Sequence, residues 1–389
     1  MLLDERGRPI TYDMARPTRV GFCFGGAPAV CAALARTDWQ AVLRSPRAKA
    51  TPYDLVEPDP LALSDDPGRL ARAQGCWLGK LIGDALGAQV AGRSAEEIDR
   101  LWPKGVNALV DGGTHRTIAG QPTDDGELAR MLARVLVEAR GYDADAAARA
   151  YRYWLDSGPF DMGHTTFQAL AAFDPVAPAA SLRKAANAES ASNGALMRIA
   201  PLAIAGHAWP ERALVEAARA DAALTHPHPV CGDANAAFAL AVAFAVREGA
   251  PPEQVYSHTL AGAKALELHP AVIETLEAAR GGPPAEDLRG ESSVRVALHN
   301  AFHQLLCAED FADAVMDTVA RGGDTDTHAC VVGALLGAVH GREGLPWLWR
   351  DRVMTCRPLN GLDRVYRPRP RAFWPVDALV LAERLLTLG

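Results

Sequence analysis

Gly75-Cys76-Trp77-Leu78-Gly79-Lys80-Leu81-Ile82-Gly83-Asp84-Ala85-Leu86-Gly87 is the stretch from which the fold can be read. Leu78, Leu81, Ile82, Ala85 and Leu86 recur at helical spacing. Gly75, Gly79, Gly83 and Gly87 fall four apart and leave a bare stripe where another backbone can approach closely. A glycine costs about 1 kcal/mol in a helix interior relative to alanine, so four in register need a reason in packing or in ligand contact. Close helix packing is the plainer of the two.

Downstream of this stretch the chain stays helical and rich in alanine. Thr123 can cap a helix opened by Asp124 and Asp125, with Leu128, Met131, Leu132, Val135 and Leu136 on its apolar face. Further helices are expected over 142–155, 166–173, 181–187, 194–204, 211–225, 232–247, 252–268 and 271–280. The last set is 294–307, 311–321, 327–340 and 376–388. No alternating strand pattern stands out after residue 75, and the helices follow no fixed repeat length. The expected fold is all-α, one compact multi-helix domain over residues 71–389. Residues 1–70 differ in texture: they are rich in Pro and Arg, with a helical stretch near 29–43. The segment containing Pro58, Pro60, Asp65, Asp66 and Pro67 reads as a linker. They read as a small N-terminal extension.

The 389 residues carry a net charge of −7 and are 49% hydrophobic, which allows a sizeable core and argues against disorder. An acidic balance argues against a sequence-independent grip on nucleic acid. Seven scattered cysteines (Cys23, Cys31, Cys76, Cys231, Cys307, Cys330, Cys356) form no zinc spacing and read as buried thiols of a reducing compartment. The charged N-terminus lacks the apolar centre of a signal peptide, and no run of about eighteen apolar residues suggests a membrane span. A soluble cytoplasmic protein is the expectation.

Two acidic clusters carry the chemistry. Thr123-Asp124-Asp125 and Gly322-Gly323-Asp324-Thr325-Asp326-Thr327 each stand at the head of an apolar helix. Taken singly, each is an ordinary helix cap with acids favoured by the helix dipole. The run from Ala329 to His340 is so apolar, however, that its acidic head should enter a protein interior, where carboxylates need a cation or hydrogen-bond partners. If the two heads meet, five or six oxygens converge, and oxygen ligation favours Mg²⁺ or Mn²⁺ over zinc.

Four motifs in order resemble those of the ADP-ribosylglycohydrolase family: Gly75–Gly87, Thr123-Asp124-Asp125, Ser192-Asn193-Gly194-Ala195-Leu196-Met197-Arg198-Ile199-Ala200-Pro201, and Gly322–Thr327. Trp154, Asp161-Met162-Gly163 and Thr225-His226 accompany them, and the resemblance covers about residues 70–388. It implies an all-α fold with two Mg²⁺ (or Mn²⁺) at the base of an ADP-ribose cleft. Thr123, Asp124, Asp125, Asp324, Asp326 and Thr327 would hold the metals. Asp161 falls where arginine-directed members carry an acid essential to turnover; it, or Asp124 or another Asp of the metal set, would activate water. Ser192, Asn193, Gly194, Gly163 and His226 would bind substrate. As plain structure, Asp161 would instead cap the next helix, Asn193-Gly194 would be a turn, and His226 a polar loop residue. Ala91 stands where serine-directed relatives carry a catalytic Glu, which favours removal of ADP-ribose from arginine in a modified protein; Glu96 and Glu97 lie close enough to replace it. An N-terminal extension is similar to that of immunity proteins against ADP-ribosyltransferase toxins, so residues 1–70 could bind such a toxin. The alternatives are a toxin-binding inhibitor acting without catalysis, or a hydrolase of another ADP-ribose derivative.

Overall fold

The computed structural model describes residue 55 and residues 66–284 and 292–389; the extension and its expected helix near 29–43 lie almost wholly outside these. Sixteen α-helices make up the described residues, with no extended strand among them. In chain order they are α1 Pro67–Gly87, α2 Ala95–Leu101, α3 Asp124–Ala139, α4 Ala144–Asp156, α5 His164–Ala171, α6 Pro178–Ala185, α7 Ala200–Ala205 and α8 Glu211–Ala222. They continue with α9 Pro229–Glu248, α10 Pro252–Ala265, α11 Pro270–Ala279, α12 Val294–Cys307, α13 Phe311–Ala320, α14 Thr325–His340, α15 Trp347–Thr355 and α16 Ala378–Leu386.

The centre is the antiparallel pair α1–α14. Asp66 caps α1, accepting from Arg69 N at 2.9 Å, and Pro67 fits its first turn because no N–H is needed there. From Ala73 to Gly87 every residue of α1 is buried, as is α14 from Thr325 to Ala338. The glycine stripe is a packing device. A Cβ on Gly75, Gly79, Gly83 or Gly87 would collide with the backbone carbonyls of Gly337, Gly333, Ala329 and Thr325 respectively. Facing glycines complete the fit, for a Cβ on Gly333 or Gly337 would strike the carbonyls of Gly79 or Gly75. Backbones this close gain dispersion and Cα–H···O contacts, which offset the helix propensity lost at each glycine.

Around this pair, α12 and α13 pack on α14, and α15 and α16 on α1. Helix α9 is long and apolar enough to cross a membrane by length and composition, yet 83% of its apolar window is buried inside the protein. Its one-sided burial signal is weak because it is covered all round.

Several expectations shift in detail. The stretch 194–204 is not one helix: a 3-10 turn, Leu196–Arg198, precedes the short α7, where Pro201 sits in the first turn. Two helices escaped the periodicity, α2 and α15. The first has a local signature: Ser94 Oγ accepts from Glu97 N at 3.2 Å while Glu97 returns a carboxylate to Ser94 N at 3.0 Å, a capping box. Cys76, Cys231, Cys330 and Cys356 are buried as expected, whereas Cys307, at the last position of α12, is exposed; Cys23 and Cys31 lie outside the described residues.

The zipper makes a test of opposite signs. Gly83→Ala should destabilise by about 3 kcal/mol or more, because neither backbone can yield without separating α1 from α14. Gly262→Ala in α10, where a Cβ meets its nearest neighbour at 3.6 Å, should instead gain up to about 1 kcal/mol. Urea midpoints of the two variants against the parent measure both; a neutral Gly83→Ala would show that the glycine stripe does not hold α1 against α14.

Candidate functional site

Because α1 and α14 run antiparallel, the end of one meets the start of the other. Thr325 Oγ1 donates to Gly87 O at 2.8 Å. Two glycines with positive φ, Gly322 (75°) and Gly323 (75°), turn the chain into α14, and there Gly323 N donates to Arg93 O and Gly92 N to Gly323 O, each at 2.8 Å. One turn before the end of α1, the buried Asp84 caps a third helix. It accepts from Thr123 N (3.0 Å), Thr123 Oγ1 (2.9 Å) and Gly126 N (2.8 Å) at the head of α3. Residue 126 has no room for a side chain, since a Cβ there would stand 2.7 Å from Asp84 Oδ2. The heads of α3 and α14 are thus both set by the last turn of α1.

The two acidic clusters do meet. Thr327 Oγ1 donates to Asp125 Oδ2 at 3.3 Å across 202 residues, and Thr123 Oγ1 lies 3.2 Å from the same oxygen. Asp125 Oδ1 is buried with no hydrogen-bond partner among the described residues. Burial raises the carboxyl pKa of Asp124, Asp125 and Asp326 well above the ordinary value. Neighbouring acids raise them further: Asp161 and Asp125 act on Asp124, Asp84 and Asp326 on Asp125, Asp324 and Asp161 on Asp326. Asp84 is pushed up to about 6, chiefly by burial and against the pull of Lys80. Crowded carboxylates, threonine hydroxyls and an orphaned oxygen are a donor set that fits a hard divalent cation.

Facing this cluster is Asp161. It does not cap the following helix, where Gly163 is the N-cap; its Oδ1 accepts from Met162 N at 3.0 Å. Its Oδ2 lies 3.3 Å from His115 Nε2, which is 3.6 Å from Asp326 Oδ2. His115, Asp161 and Asp326 offer three ligand atoms within 4.8 Å of one another. The loop leading to Asp161 is tied down behind by Arg369, which donates to Ser157 O (3.0 Å) and Gly158 O (3.1 Å). That guanidinium is itself gripped by Glu127 of α3 at 2.7 and 2.8 Å, and Glu127 also accepts from Trp154 Nε1 at 2.8 Å. Arg367, two residues earlier, donates to His115 O at 2.9 Å. One short segment therefore holds both partners of the Asp161–His115 contact.

On the other side, Asn193 Nδ2 donates to Asp324 Oδ2 at 2.8 Å, while Asn193 N donates to Ser292 O at 2.8 Å. Asn193-Gly194 is therefore more than a free turn. His226 is buried, and its imidazole edge and Thr166 Oγ1 occupy the space a side chain on Gly194 would need. Burial and the nearby Arg198 push the His226 pKa down to about 3, so the ring is neutral. Arg198 donates to Thr225 Oγ1 at 2.8 Å, which leaves that hydroxyl's own proton for His226 Nδ1 at 2.8 Å. Gly163 is exposed at the head of α5, near Thr166, and Ser192 Oγ reaches Ser190 Oγ at 3.1 Å.

Thus Thr123, Asp124, Asp125, Asp324, Asp326, Thr327, Asp161 and Asn193 converge, while Gly163, Gly194 and His226 gather around Thr166, with Ser192 beside Thr165. Three residues went unread in the sequence: His115, in a polar loop without periodicity, and Lys80 and Asp84, both inside the first motif. The last two had a signal, since a charge within an apolar glycine-striped helix must find a buried partner. Glu97 is engaged in its capping box with Ser94, and Ala91 O accepts from Thr114 Oγ1 at 3.0 Å.

Residues 65–377 match the family described as ADP-ribosylglycohydrolase. The ADP-ribosyl-[dinitrogen reductase] glycohydrolase of Rhodospirillum rubrum is 28% identical over 289 residues, 72% of this chain and 90% of that protein. The ADP-ribosylarginine hydrolase Tri1 of Pseudomonas putida (strain GB-1) is 28% identical over 330 residues, 81% of this chain and 83% of its own. A solved ADP-ribosylglycohydrolase-related protein complex superposes with a TM-score of 0.65 at 29% identity, covering 82% of this chain and 99% of that one.

The raised carboxyl pKa values set a sign for pH. A carboxyl whose pKa is higher folded than unfolded adds stability below its unfolded pKa and loses it as pH rises through the folded value. Chelated protein should therefore lose stability from about pH 4 upward, through the value of about 6 for Asp84 and beyond it for Asp124, Asp125 and Asp326. Added Mg²⁺ or Mn²⁺ should restore it, so the Tm gap between metal-loaded and chelated protein should widen from pH 5 to pH 8. A gap that stays flat would count against cation binding at these acids.

Proposed function

The chain belongs to the ADP-ribosylglycohydrolase family over residues 65–377, and from that premise we propose that it removes ADP-ribose from arginine side chains of modified proteins by hydrolysing the N-glycosidic bond. The observation that carries this reading is the convergence of the α3 and α14 heads opposite Asp161, with His115 Nε2 3.3 Å from Asp161 Oδ2. Arginine linkage is favoured over serine linkage by Ala91 and by the commitment of Glu97 elsewhere. Two of its relatives are named ADP-ribosylarginine hydrolases. The match begins at residue 65, which supports reading residues 1–70 as an appendage to the hydrolase.

Thr123, Asp124, Asp125, Asp324, Asp326 and Thr327 would hold two Mg²⁺ or Mn²⁺. Bound there, the cations would supply positive charge to the hydroxyls of the ribose next to the scissile bond. As the guanidine departs, that ribose gains oxocarbenium character, and the carboxylates of Asp124 and Asp326 stabilise it. Asp161, partly exposed on the open side, takes the proton of the attacking water. His115 Nε2 faces Asp161 Oδ2 at 3.3 Å, and the Arg369–Glu127 pair holds the loop that leads to Asp161. Asn193 fixes Asp324, and the His226 ring beside Gly194 is neutral.

Asp161→Asn should lower kcat for ADP-ribosyl-arginine by about 10²–10⁴-fold while keeping the Tm rise that Mg²⁺ gives. Asp124→Ala and Asp326→Ala should lose both. Arginine-, serine- and ester-linked ADP-ribose assayed side by side complete the test: a serine linkage cleaved as fast as the arginine linkage would defeat the assignment.

A further inference from the structure

We propose that Lys80 and Cys330 form a covalent bridge through a single oxygen atom, a lysine–oxygen–cysteine modification site behind the carboxylate cluster. Lys80 lies on α1 between Gly79 and Gly83, and Cys330 on α14 between Ala329 and Gly333, so the two project into the closest part of the helix pair. Nζ and Sγ are 2.7 Å apart, and both residues are fully buried. Sulfur is larger than oxygen, yet this separation is shorter than the 2.9 Å from the same Nζ to the carbonyl oxygen of Asp125. An ammonium resting on a thiol by hydrogen bonding alone sits farther off than on a carbonyl, not nearer. A chain of two bonds through one oxygen spans such a gap.

Each group has one other partner, a backbone carbonyl: Asp125 O for Lys80 and Met197 O for Cys330. Among the described residues Lys80 has no carboxylate within ion-pair distance, and the other partner of Cys330 Sγ is Met197 O at 3.6 Å. A lysine buried at this depth without an ion pair is costly, and the proposed hydrolysis makes no use of it. The glycine zipper fixes both Cα positions, so the side chains cannot drift apart between encounters with an oxidant.

The oxidant is dioxygen, small and apolar enough to enter a core. The step is Lys–NH₃⁺ + Cys–SH + O₂ → Lys–NH–O–S–Cys + H₂O + H⁺. Nitrogen and sulfur each give up two electrons; one oxygen atom becomes the bridge and the other leaves as water. Sulfur then stands at the level of a sulfenic acid, a rung reversible by thiols. The bridge removes the lysine's charge from beneath Asp125 and ties α1 to α14.

Mass spectrometry of the whole protein tests this without reference to hydrolysis, so the proposal and the proposed activity can fail separately. Protein purified in air should be one oxygen heavier and two hydrogens lighter than its sequence, and excess dithiol should return it to the sequence mass. Digestion should yield a peptide pair joined at Lys80 and Cys330. The species should be absent after anaerobic purification and in Cys330→Ala; Lys80→Met should also lack it, and the cysteine variant decides alone if that one does not fold. The sequence mass in air and in added peroxide would overturn the proposal. So would sulfenic or sulfinic acid on Cys330 with Lys80 free, or a direct sulfur–nitrogen link without oxygen.

Discussion

The closeness of two backbones governs this molecule. Where α1 and α14 touch, carbonyl meets Cα without side chains between them, and six glycines make that approach possible. The arrangement is costly in helix propensity and is held by burial on all sides. What it secures is position. A pair of helices separated by ordinary side chains can slide or tilt by fractions of an ångström, whereas interlocked backbones have one register. The carboxylates at the α14 head and the Asp84 cap at the α3 head therefore share one rigid reference, as oxygen ligands for small cations require.

Electrostatics then explains why the site is built at helix heads. A carboxylate at an N-terminus is favoured by the exposed N–H groups and the helix dipole, which lowers the cost of burying it. Asp84 uses this most fully, accepting from two backbone N–H groups and a hydroxyl of α3. Asp125 differs, its Oδ1 having no hydrogen-bond partner among the described residues. The gradient from satisfied Asp84 to unsatisfied Asp125 runs toward the place where positive charge is wanted. Elsewhere the demand is met within the protein: Arg369 pairs with Glu127 and Arg198 with Asp221 through buried hydrogen bonds.

Much of this was legible in the chain itself. The four-residue glycine spacing announced close helix packing, and the two acid clusters announced helix heads, because both signals are local and periodic. Pairing the heads needed one inference from burial: a helix as apolar as α14 must carry its acids inward. His115 was illegible, since a loop residue has no period and its place depends on Arg367, some 250 residues away. Asp84 and Lys80 hid within an otherwise apolar motif, where a single charge is easily read as noise. The helix expected over 194–204 broke because Pro201 admits a helix only in its first turn. The missed α2 showed the reverse, for its capping box was readable but its seven residues, about two turns, were too short for periodicity to register.

The zipper also has a history in time. Residues 75–87 and 325–337 join positions about 240 apart, so the contact that fixes the site closes one of the longest loops in the chain. During synthesis α1 emerges early, apolar on nearly every side, and must wait for most of the polypeptide before its partner exists. A helix with four glycines holds its shape poorly on its own. Its hydrophobic surface is then exposed on a weakly helical segment, the state most open to aggregation or chaperone capture. The same close fit that gives the finished protein one register thus makes α14, near the end of the chain, the event on which productive folding depends.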